Sequence, residues 1–168
     1  MRFSHRQVVL KLLFIAIPCG LLVLGIYATM HALRVSFECR ANLRTLYRAL
    51  ELYEMERGSL PKLAFFPDEP TEDTDSLRVV LEPFGATGAA ARCPCAPANL
   101  KETGLSYLWN TRLNGRKMPK GEEREWMLVE VQALSSDVPA PHWGRYHALF
   151  SDGKVERITD PKRQLEGL

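Results

Sequence analysis

The side chains best suited to chemistry are two closely spaced cysteines and two histidines beyond the apolar N-terminal part of the chain: Cys93, Cys95, His142 and His147. Thiolate and imidazole groups are preferred zinc ligands, and neighbouring thiols also form redox centres. Cys93 and Cys95 have one residue between them, whereas zinc ligands and redox motifs usually have two or more. The residue types leave open a zinc or thiol-redox site on Cys93, Cys95 and His142. The spacing leads us to predict no metal ligand and no cofactor.

A disulfide is the other use of these cysteines. In an oxidising compartment, Cys39 and Cys93 would close a loop of about 54 residues, which stabilises a chain by around 4 kcal/mol if the effect is chain entropy. The bond would also join a helix to the loop before the predicted sheet. Pairing of Cys39 with Cys95 and the absence of any disulfide are the alternatives. Cys19 lies in the apolar segment, where we expect a thiol to behave as a small apolar side chain.

Signatures of common hydrolases and nucleotide-binding enzymes are missing from the sequence. It contains no Gly-x-Ser-x-Gly, no His-Glu-x-x-His and no phosphate-binding glycine loop. The acidic residues between Asp68 and Asp75 do not have the spacing of a calcium-binding loop, so we expect a solvated loop there. We therefore predict a protein that has no catalytic residues and is not an enzyme.

The segment from His142 to Gly153 is predicted to contain a β-hairpin. Asp152-Gly153 favours a type I′ turn between Ala148–Ser151 and Lys154–Arg157, because both central positions of that turn need positive φ angles. We expect His142 to order the chain that enters this hairpin through a side-chain hydrogen bond. Four aromatic residues are expected in the core or on a sheet face: Tyr107, Trp109, Trp126 and Trp143.

An uncharged run from Leu12 to Met30 is long enough to cross a membrane. As a helix it extends about 28 Å, close to the thickness of the hydrocarbon core. Basic residues precede the run, so the positive-inside rule predicts a cytoplasmic tail at 1–11, a transmembrane helix at 12–33 and an extracytoplasmic domain at 34–168. A cleaved signal peptide is the alternative, but the run is longer than usual and no clear cleavage site follows. We expect an inner-membrane anchor, with the bilayer as a partner and the domain in the periplasm.

Positive and negative charges are balanced across the predicted domain. Three of the 22 basic residues lie at 1–11, which leaves 19 basic and 20 acidic residues beyond Leu33. The net charge of +2 therefore comes from the N-terminal tail, and a nucleic-acid partner loses its electrostatic support. The predicted extracytoplasmic part, 34–168, has about 135 residues, which is enough for one compact domain but few for two.

The first element of this domain is predicted to be an amphipathic helix at 34–58. Apolar residues recur every three or four positions, and Gly58 and Pro61 then favour termination. Nothing breaks the pattern upstream, so we predict one rod from about Val8 to Arg57. The region 59–104 is expected to be loop with a short helix at Thr74–Pro83. The apolar stripe of the first helix consists of Cys39, Leu43, Leu46, Leu50 and Tyr53.

Short extended runs at 105–160 predict an antiparallel sheet with one apolar face. An amphipathic helix and a one-faced sheet each need a partner, so we expect the sheet to pack on the helix. The predicted fold class is α+β, with a long N-terminal helix, half transmembrane and half amphipathic, on a small sheet. The expected strands are Leu105–Trp109, Trp126–Val131, Tyr146–Phe150 and Val155–Ile158.

Four sequence motifs follow one another along the chain. They are Cys39–Tyr53 with its ending Gly58-Ser-Leu-Pro61, then Arg92-Cys93-Pro94, then Ser106–Asn110, and finally His142–Glu156, which contains His142-x9-Asp152-Gly153. Over most of its length the chain resembles type IV pilin-like proteins and type II secretion pseudopilins. It is most similar to those that bear the H-x9-DG processing-associated domain.

The resemblance implies a pilin-like fold and a membrane-anchored structural or adaptor protein of a secretion or pilus-type assembly. Its expected partners are other pilin-like or secretion-machinery proteins, and His142, Asp152 and Gly153 carry the family motif. Such proteins usually begin with a glycine and a Phe-Thr-Leu-Ile-Glu-like run, but Arg2–Lys11 has neither glycine nor acidic residue. We therefore expect an anchored accessory or adaptor. The alternative is a membrane-anchored metal or thiol-redox domain that uses Cys93, Cys95 and His142.

Overall fold

The computed structural model describes residues 5–122, 124–134, 138 and 140–165, without the side chains of 5–13 and 15. Helix α1 spans His5–Arg57, and the chain divides into two compact units between Val35 and Ser36. The predicted rod ends at the same residue as α1, which begins at His5 rather than Val8. The tail predicted at 1–11 is thus helical from His5 onward, and residues 1–4 lie outside the described part.

The first unit is the apolar part of α1. Its large side chains are exposed, for example 81% of Phe14 and 65% of Leu21. Of the residues that the structure describes, this is the one helix long and apolar enough to cross a membrane by length and composition. Pro18 lies inside it, as transmembrane helices tolerate. The unit is compatible with a single-pass membrane protein.

The C-terminal part of α1 belongs to the core of the second unit. The four residues at the start of the predicted stripe have no exposed surface, and Tyr53 packs against them partly buried. Full burial of one leucine contributes about 1.5–3 kcal/mol, so this stripe is a main source of stability. Gly58 ends the helix with φ +81° and donates its N–H to the carbonyl of Glu54 at 2.7 Å. The fully buried stripe residues are Cys39, Leu43, Leu46 and Leu50.

Four antiparallel strands form one sheet in the order β1-β2-β3-β4. The α+β class, with a long N-terminal helix and a small antiparallel sheet, is thereby confirmed. β1 begins two positions later than predicted, and β2 ends at Glu130 rather than Val131. The register places Tyr107 opposite Glu130 and Val129 opposite Ala148. The strands are β1 Tyr107–Trp109, β2 Trp126–Glu130, β3 Tyr146–Phe150 and β4 Val155–Ile158.

The expectation of a sheet with only one apolar face is wrong. Every residue of β1 and β2 is buried. One face packs in the cluster that contains the α1 stripe, and the other packs in a second cluster with Phe65 and Leu165. The backbone N–H of Trp109 donates to the carbonyl of Phe65 at 3.0 Å, so the chain around Phe65 runs beside β1. Because both faces are covered, these strands are apolar rather than alternating, with the single exception of Glu130 at the end of β2.

The short helix predicted at Thr74–Pro83 begins later and is shorter. Helix α2 spans Leu77–Leu81 with Ser76 at its N-terminal cap, and a 3-10 helix follows at Glu82–Phe84. The buried hydroxyl of Ser76 donates to the carbonyl of Pro70 at 2.6 Å, which keeps the preceding residues in a turn. Two further short helices were not predicted: α3 at Ala98–Glu102 and α4 at Pro161–Gln164.

The turn between β3 and β4 also differs from the prediction. Gly153 has φ +76°, whereas Asp152 has no positive φ, so the turn is not type I′. Gly153 donates its N–H to the carbonyl of Phe150 at 2.9 Å, and Oδ1 of Asp152 accepts from the N–H of Lys154 at 3.1 Å. The Asp152 carboxylate thus stabilises an ordinary backbone conformation at its own position. Within this turn, Gly153 alone has the left-handed conformation.

Candidate functional site

Three cysteines and His142 converge on one position in the second unit. Cys39 comes from α1, Cys93 and Cys95 from the loop before α3, and His142 from the turn before β3. One ligand-type atom of each residue lies within 4.8 Å of those of the other three. Cys95 is partly buried and the other three are buried. We call these four residues the cysteine–histidine cluster.

A proline turn places Cys93 and Cys95 side by side. The N–H of Ala96 donates to the carbonyl of Cys93 at 2.9 Å. Pro94 occupies the second position of this four-residue turn, where its fixed φ is favoured. The turn therefore brings the two sulfur atoms to one cluster although a single residue separates them in sequence.

Cys39 and Cys93 form a disulfide with their Cα atoms 5.1 Å apart. This is the pairing preferred from the sequence over Cys39 with Cys95. The side chain of Asn42, one helical turn after Cys39, donates to the carbonyl of Arg92 at 2.8 Å. The loop is thus attached to α1 by a covalent bond and an adjacent hydrogen bond, and Cys95 is a free thiol.

His142 links the cluster to the end of β2. Its Nε2 lies 2.7 Å from Oε1 of Glu130, and its Nδ1 lies 3.5 Å from Sγ of Cys95. Glu130 has no exposed surface, and its Oε2 accepts a hydrogen bond from the backbone N–H of His147 at 2.9 Å. The side chain of His142, in the chain that enters the hairpin, is therefore hydrogen-bonded to the neighbouring strand β2.

His147 in β3 completes a second group of ligand-type side chains with Glu130 and His142. Its ring centroid lies 3.9 Å from that of His142. Its Nδ1 is 3.5 Å from Oε1 of Glu130, and within the described residues neither ring nitrogen has a hydrogen-bond partner, nor has the hydroxyl of Tyr107. Buried polar groups are usually paired, so these atoms identify an unusually polar region of the core.

Electrostatics make the contact between Glu130 and His142 an ion pair. Burial alone would lower the pKa of His142, but hydrogen bonds with Cys95 and Glu130 outweigh it and raise that pKa to about 9. Burial would raise the pKa of Glu130, but its interactions with the two histidines bring it below the ordinary value. Burial lowers the pKa of His147. At neutral pH, His142 is therefore cationic, Glu130 anionic and His147 neutral.

Asp152 and Gly153, which follow His142 in the H-x9-DG pattern, have different partners. Oδ2 of Asp152 lies 3.1 Å from Nε of Arg124, and Gly153 forms the β3–β4 turn. His142 and the Asp152-Gly153 pair therefore act at separate places in the fold. Cys19 is exposed in the first unit. Among the described residues, the acidic segment 68–75 does not bring three ligand atoms together.

Trp143 contradicts the expectation that it lies in the core or on a sheet face. It is 69% exposed, whereas the other three aromatic residues considered are at most 4% exposed. Trp143 and Gly144 have φ angles of +59° and +77°, and this left-handed turn directs the tryptophan side chain outward. Such a conformation is costly for a bulky residue.

Glu130 was not recognised as a site residue from the sequence, and His147 was considered only as a zinc-type ligand beside Cys93, Cys95 and His142. The available signal was their position inside otherwise apolar strands, Trp-Met-Leu-Val-Glu130 and Tyr-His147-Ala-Leu-Phe. A charged or imidazole side chain in a strand buried on both faces needs a polar partner. Without knowledge that both faces of the sheet are covered, the side chains of Glu130 and His147 could each be assigned to a solvent-exposed face of their strand.

Comparison of the chain with protein-family models, with curated proteins and with solved structures gives no match. The fold and the buried cluster are therefore the basis for a functional proposal, together with the motif resemblance.

Proposed function

We propose that this chain is a membrane-anchored, pilin-like or pseudopilin-like protein with a structural or adaptor role in a secretion or pilus-type assembly, and that it is not an enzyme. The observation that carries the proposal is the double use of α1. Its first part is apolar and exposed over a membrane-length stretch, and its second part supplies Leu43, Leu46 and Leu50 to the core of a small sheet domain. One helix that serves as anchor and as core element is what the pilin resemblance implies.

Burial of the polar side chains supports a structural use of the cluster. Glu130 and His147 have no exposed surface, and His142 is 3% exposed. Ligands and substrates usually bind in clefts or cavities, whereas these side chains lie within the core. With the disulfide between Cys39 and Cys93, they fasten helix, loop and strands to one another. The domain is suited to present a rigid surface.

The proposed placement has the N-terminus in the cytoplasm and the domain on the periplasmic side of the inner membrane, where pilin-like or secretion-machinery proteins are the partners. The basic residues before the apolar run support this orientation. A Cβ added at Gly20 or Gly25 would meet nothing within 4 Å, and small residues let membrane helices approach closely. Lateral association through this helix is therefore the expected mode of contact.

Photocrosslinking in intact membranes tests the role. A photoreactive residue at exposed Leu22, or at exposed Trp143, in the full-length protein should give adducts with pilin-like or secretion-platform proteins, identified by mass spectrometry. A matched variant replaces Leu12–Met30 by an apolar helix of equal length without glycine, and it should lose most adducts at Leu22. Recovery of the monomer alone from every labelled position would refute the adaptor role.

Protease accessibility tests the placement. Protease added to whole cells should degrade the domain only after the outer barrier is opened, because the domain is proposed to lie between the two membranes. Degradation that requires opening of the inner membrane would contradict the orientation.

A further inference from the structure

We propose that the reduced protein binds one zinc ion through Cys39, Cys93, Cys95 and His142. In the structure Cys39 and Cys93 form a disulfide, so reduction of this bond is what converts the cluster into a metal site. Disulfide and zinc exclude each other, because both use the same two sulfur atoms. The site goes beyond the structural role proposed above and does not depend on it.

The cluster has the ligand types and the ligand number of a structural zinc site. Three cysteines and one histidine are a common set for zinc, which takes four ligands in a tetrahedron. With Zn–S bonds of about 2.3 Å and Zn–N bonds of about 2.0 Å, the ligand atoms of such a site lie roughly 3.5–3.8 Å apart. The four atoms here lie within 4.8 Å of one another. Zinc would require the two disulfide sulfur atoms to separate and side chains to adjust, without a change of fold.

Cys93 and Cys95 have only one residue between them, but the fold of the loop places both of them beside His142. His142 lies between the two sulfur atoms of the proline turn, with Nε2 at 3.8 Å from Sγ of Cys93 and Nδ1 at 3.5 Å from Sγ of Cys95. The third thiol comes from Cys39 on α1, which is distant in sequence. The two sulfur atoms contact different ring nitrogens, but one ligand atom from each of the four residues lies within 4.8 Å of the others, so one intervening residue does not keep the two cysteines from sharing a site.

Glu130 is placed to support His142 as a ligand. A zinc-bound histidine usually donates its second ring N–H to a carboxylate or carbonyl, which fixes the orientation of the ring. Since Nε2 of His142 lies 2.7 Å from Oε1 of Glu130 and Nδ1 points to Cys95, Nδ1 is the expected ligand atom. The backbone N–H of His147 holds the other oxygen of Glu130 at 2.9 Å. The supporting carboxylate is thus already fixed in place.

The conversion requires a dithiol reductant. The reductant supplies two electrons and two protons, which turn the Cys39–Cys93 bond into two thiols, and it becomes a disulfide itself. Zinc then displaces into solvent the protons of the three thiols and the Nδ1 proton of the cationic His142, and the freed lone pair of Nδ1 binds the metal. A disulfide oxidant would accept the two electrons of the Cys39 and Cys93 thiolates, take up two protons to become a dithiol, and leave the Cys39–Cys93 bond restored and the zinc released.

Zinc titration of the full-length protein in detergent tests the site. Chelator-treated protein is titrated with zinc before reduction, and again after reduction with a dithiol that is then removed under nitrogen. We expect one zinc per chain in the reduced sample and none in the oxidised sample. Cobalt in place of zinc should give tetrahedral d–d absorption and a thiolate-to-cobalt charge-transfer band.

Cys95→Ser is the decisive variant, because Cys95 is not part of the disulfide and the oxidised variant can be checked for an unchanged Tm. It should weaken zinc binding about tenfold or more and lower the charge-transfer band by about a third, since two of three thiolates remain. Glu130→Gln should weaken binding about 10- to 100-fold by removing the support of the histidine. Cys19→Ser, outside the cluster, is the control and should bind like the wild type.

Absence of zinc binding after reduction, or equal affinity in the wild type and Cys95→Ser, would overturn the proposal. Equal binding before and after reduction would also overturn it, and would assign the metal to Glu130, His142 and His147, the other ligand group. These readouts do not involve partner proteins. The zinc site and the adaptor role can therefore fail separately.

Discussion

Nε2 of His142 donates a hydrogen bond to Oε1 of Glu130 across 2.7 Å, and the two residues are 3% and 0% exposed. A buried ion pair adds little net stability, because loss of hydration offsets much of the attraction between the charges. Loss of one partner is different, since it leaves an uncompensated buried charge. The pair joins the turn before β3 to the end of β2, so it also fixes the position of the cluster.

Removal of Glu130 should therefore destabilise the protein strongly. Glu130→Ala leaves His142 buried without its counter-ion and should cost about 3–5 kcal/mol of unfolding free energy, measured by denaturant titration of the non-reduced protein. Glu156→Ala is the control: its Oε1 lies 2.7 Å from Arg124, but its side chain is 46% exposed. The control should lose about 1 kcal/mol or less. Equal losses in both variants would contradict the interpretation of the buried pair.

Stability of the oxidised, metal-free protein should fall as the pH rises above neutrality. The pKa of His142 is about 9 in the folded state against an ordinary 6.5. A raised folded-state pKa contributes stability that is complete below pH 6.5 and lost as the pH passes through about 9. The lowered pKa of Glu130 acts in the other direction, and its contribution is lost as the pH falls below the ordinary value of 4.5.

Denaturant titration across this pH range is the measurement, with His142→Gln as the control that should show a flatter profile on the alkaline side. An alkaline profile that is identical in the variant would assign the pH dependence to another group. The charged and titratable groups around the pair come from α1, the cysteine loop and strands β1 and β3: Arg40, Cys95, Tyr107 and His147.

The leucine stripe of α1 should behave as core. Leu43→Ala, Leu46→Ala and Leu50→Ala each remove a fully buried side chain, and each should cost about 2–5 kcal/mol. Arg44→Ala and Arg48→Ala are matched controls on the same helix, because both side chains are exposed. Thermal or denaturant unfolding measures all five. Small and equal effects would mean that the stripe does not carry the core.

Reduction of the Cys39–Cys93 disulfide should lower the stability of the metal-free protein. The bond closes a separation of 54 residues, which corresponds to about 4 kcal/mol by chain entropy. Zinc at about 100 times its dissociation constant should then restore about 2.7 kcal/mol, if it binds only the folded state. A thermal shift assay with and without zinc measures both steps. No shift on addition of zinc to the reduced protein would count against the proposed site.

A side chain at residue 153 should be poorly tolerated. Gly153 has φ +76°, and a Cβ there would lie 2.9 Å from the ring of Tyr47. Gly153→Ala should therefore combine backbone strain with a clash. Gly121→Ala is the control, because Gly121 has φ +66° but open space around a Cβ; it should cost about 1–2 kcal/mol from strain alone. Thermal unfolding should show the larger loss in Gly153→Ala.

The elements of the fold were largely predictable from local patterns. Leucines at helical spacing identified the buried side of α1, and short apolar runs located all four strands within two residues. Those signals depend on residues close in sequence. The second covered face of the sheet was not predictable, because it depends on contacts of β1 with the distant chain around Phe65.

The cluster was only partly predictable for the same reason. The types of Cys93, Cys95, His142 and His147 suggested zinc or redox chemistry, but linear spacing did not show that a proline turn and α1 bring Cys39 together with Cys93, Cys95 and His142. Glu130 was one of 20 acidic residues, and only the pairing of β2 with β3 places it beside His142. The type I′ turn at Asp152 failed because a side-chain hydrogen bond to Lys154 favours an ordinary φ there.

Trp143 gives the protein a built-in optical reporter. The other two tryptophans, Trp109 and Trp126, are 1% and 4% exposed, whereas Trp143 is 69% exposed and is bonded directly to His142. A water-soluble quencher such as iodide should therefore reach one indole and leave the other two emitting. Any event that moves His142 should alter that accessible fraction of the fluorescence. Reduction or metal binding could then be followed in membranes without a label.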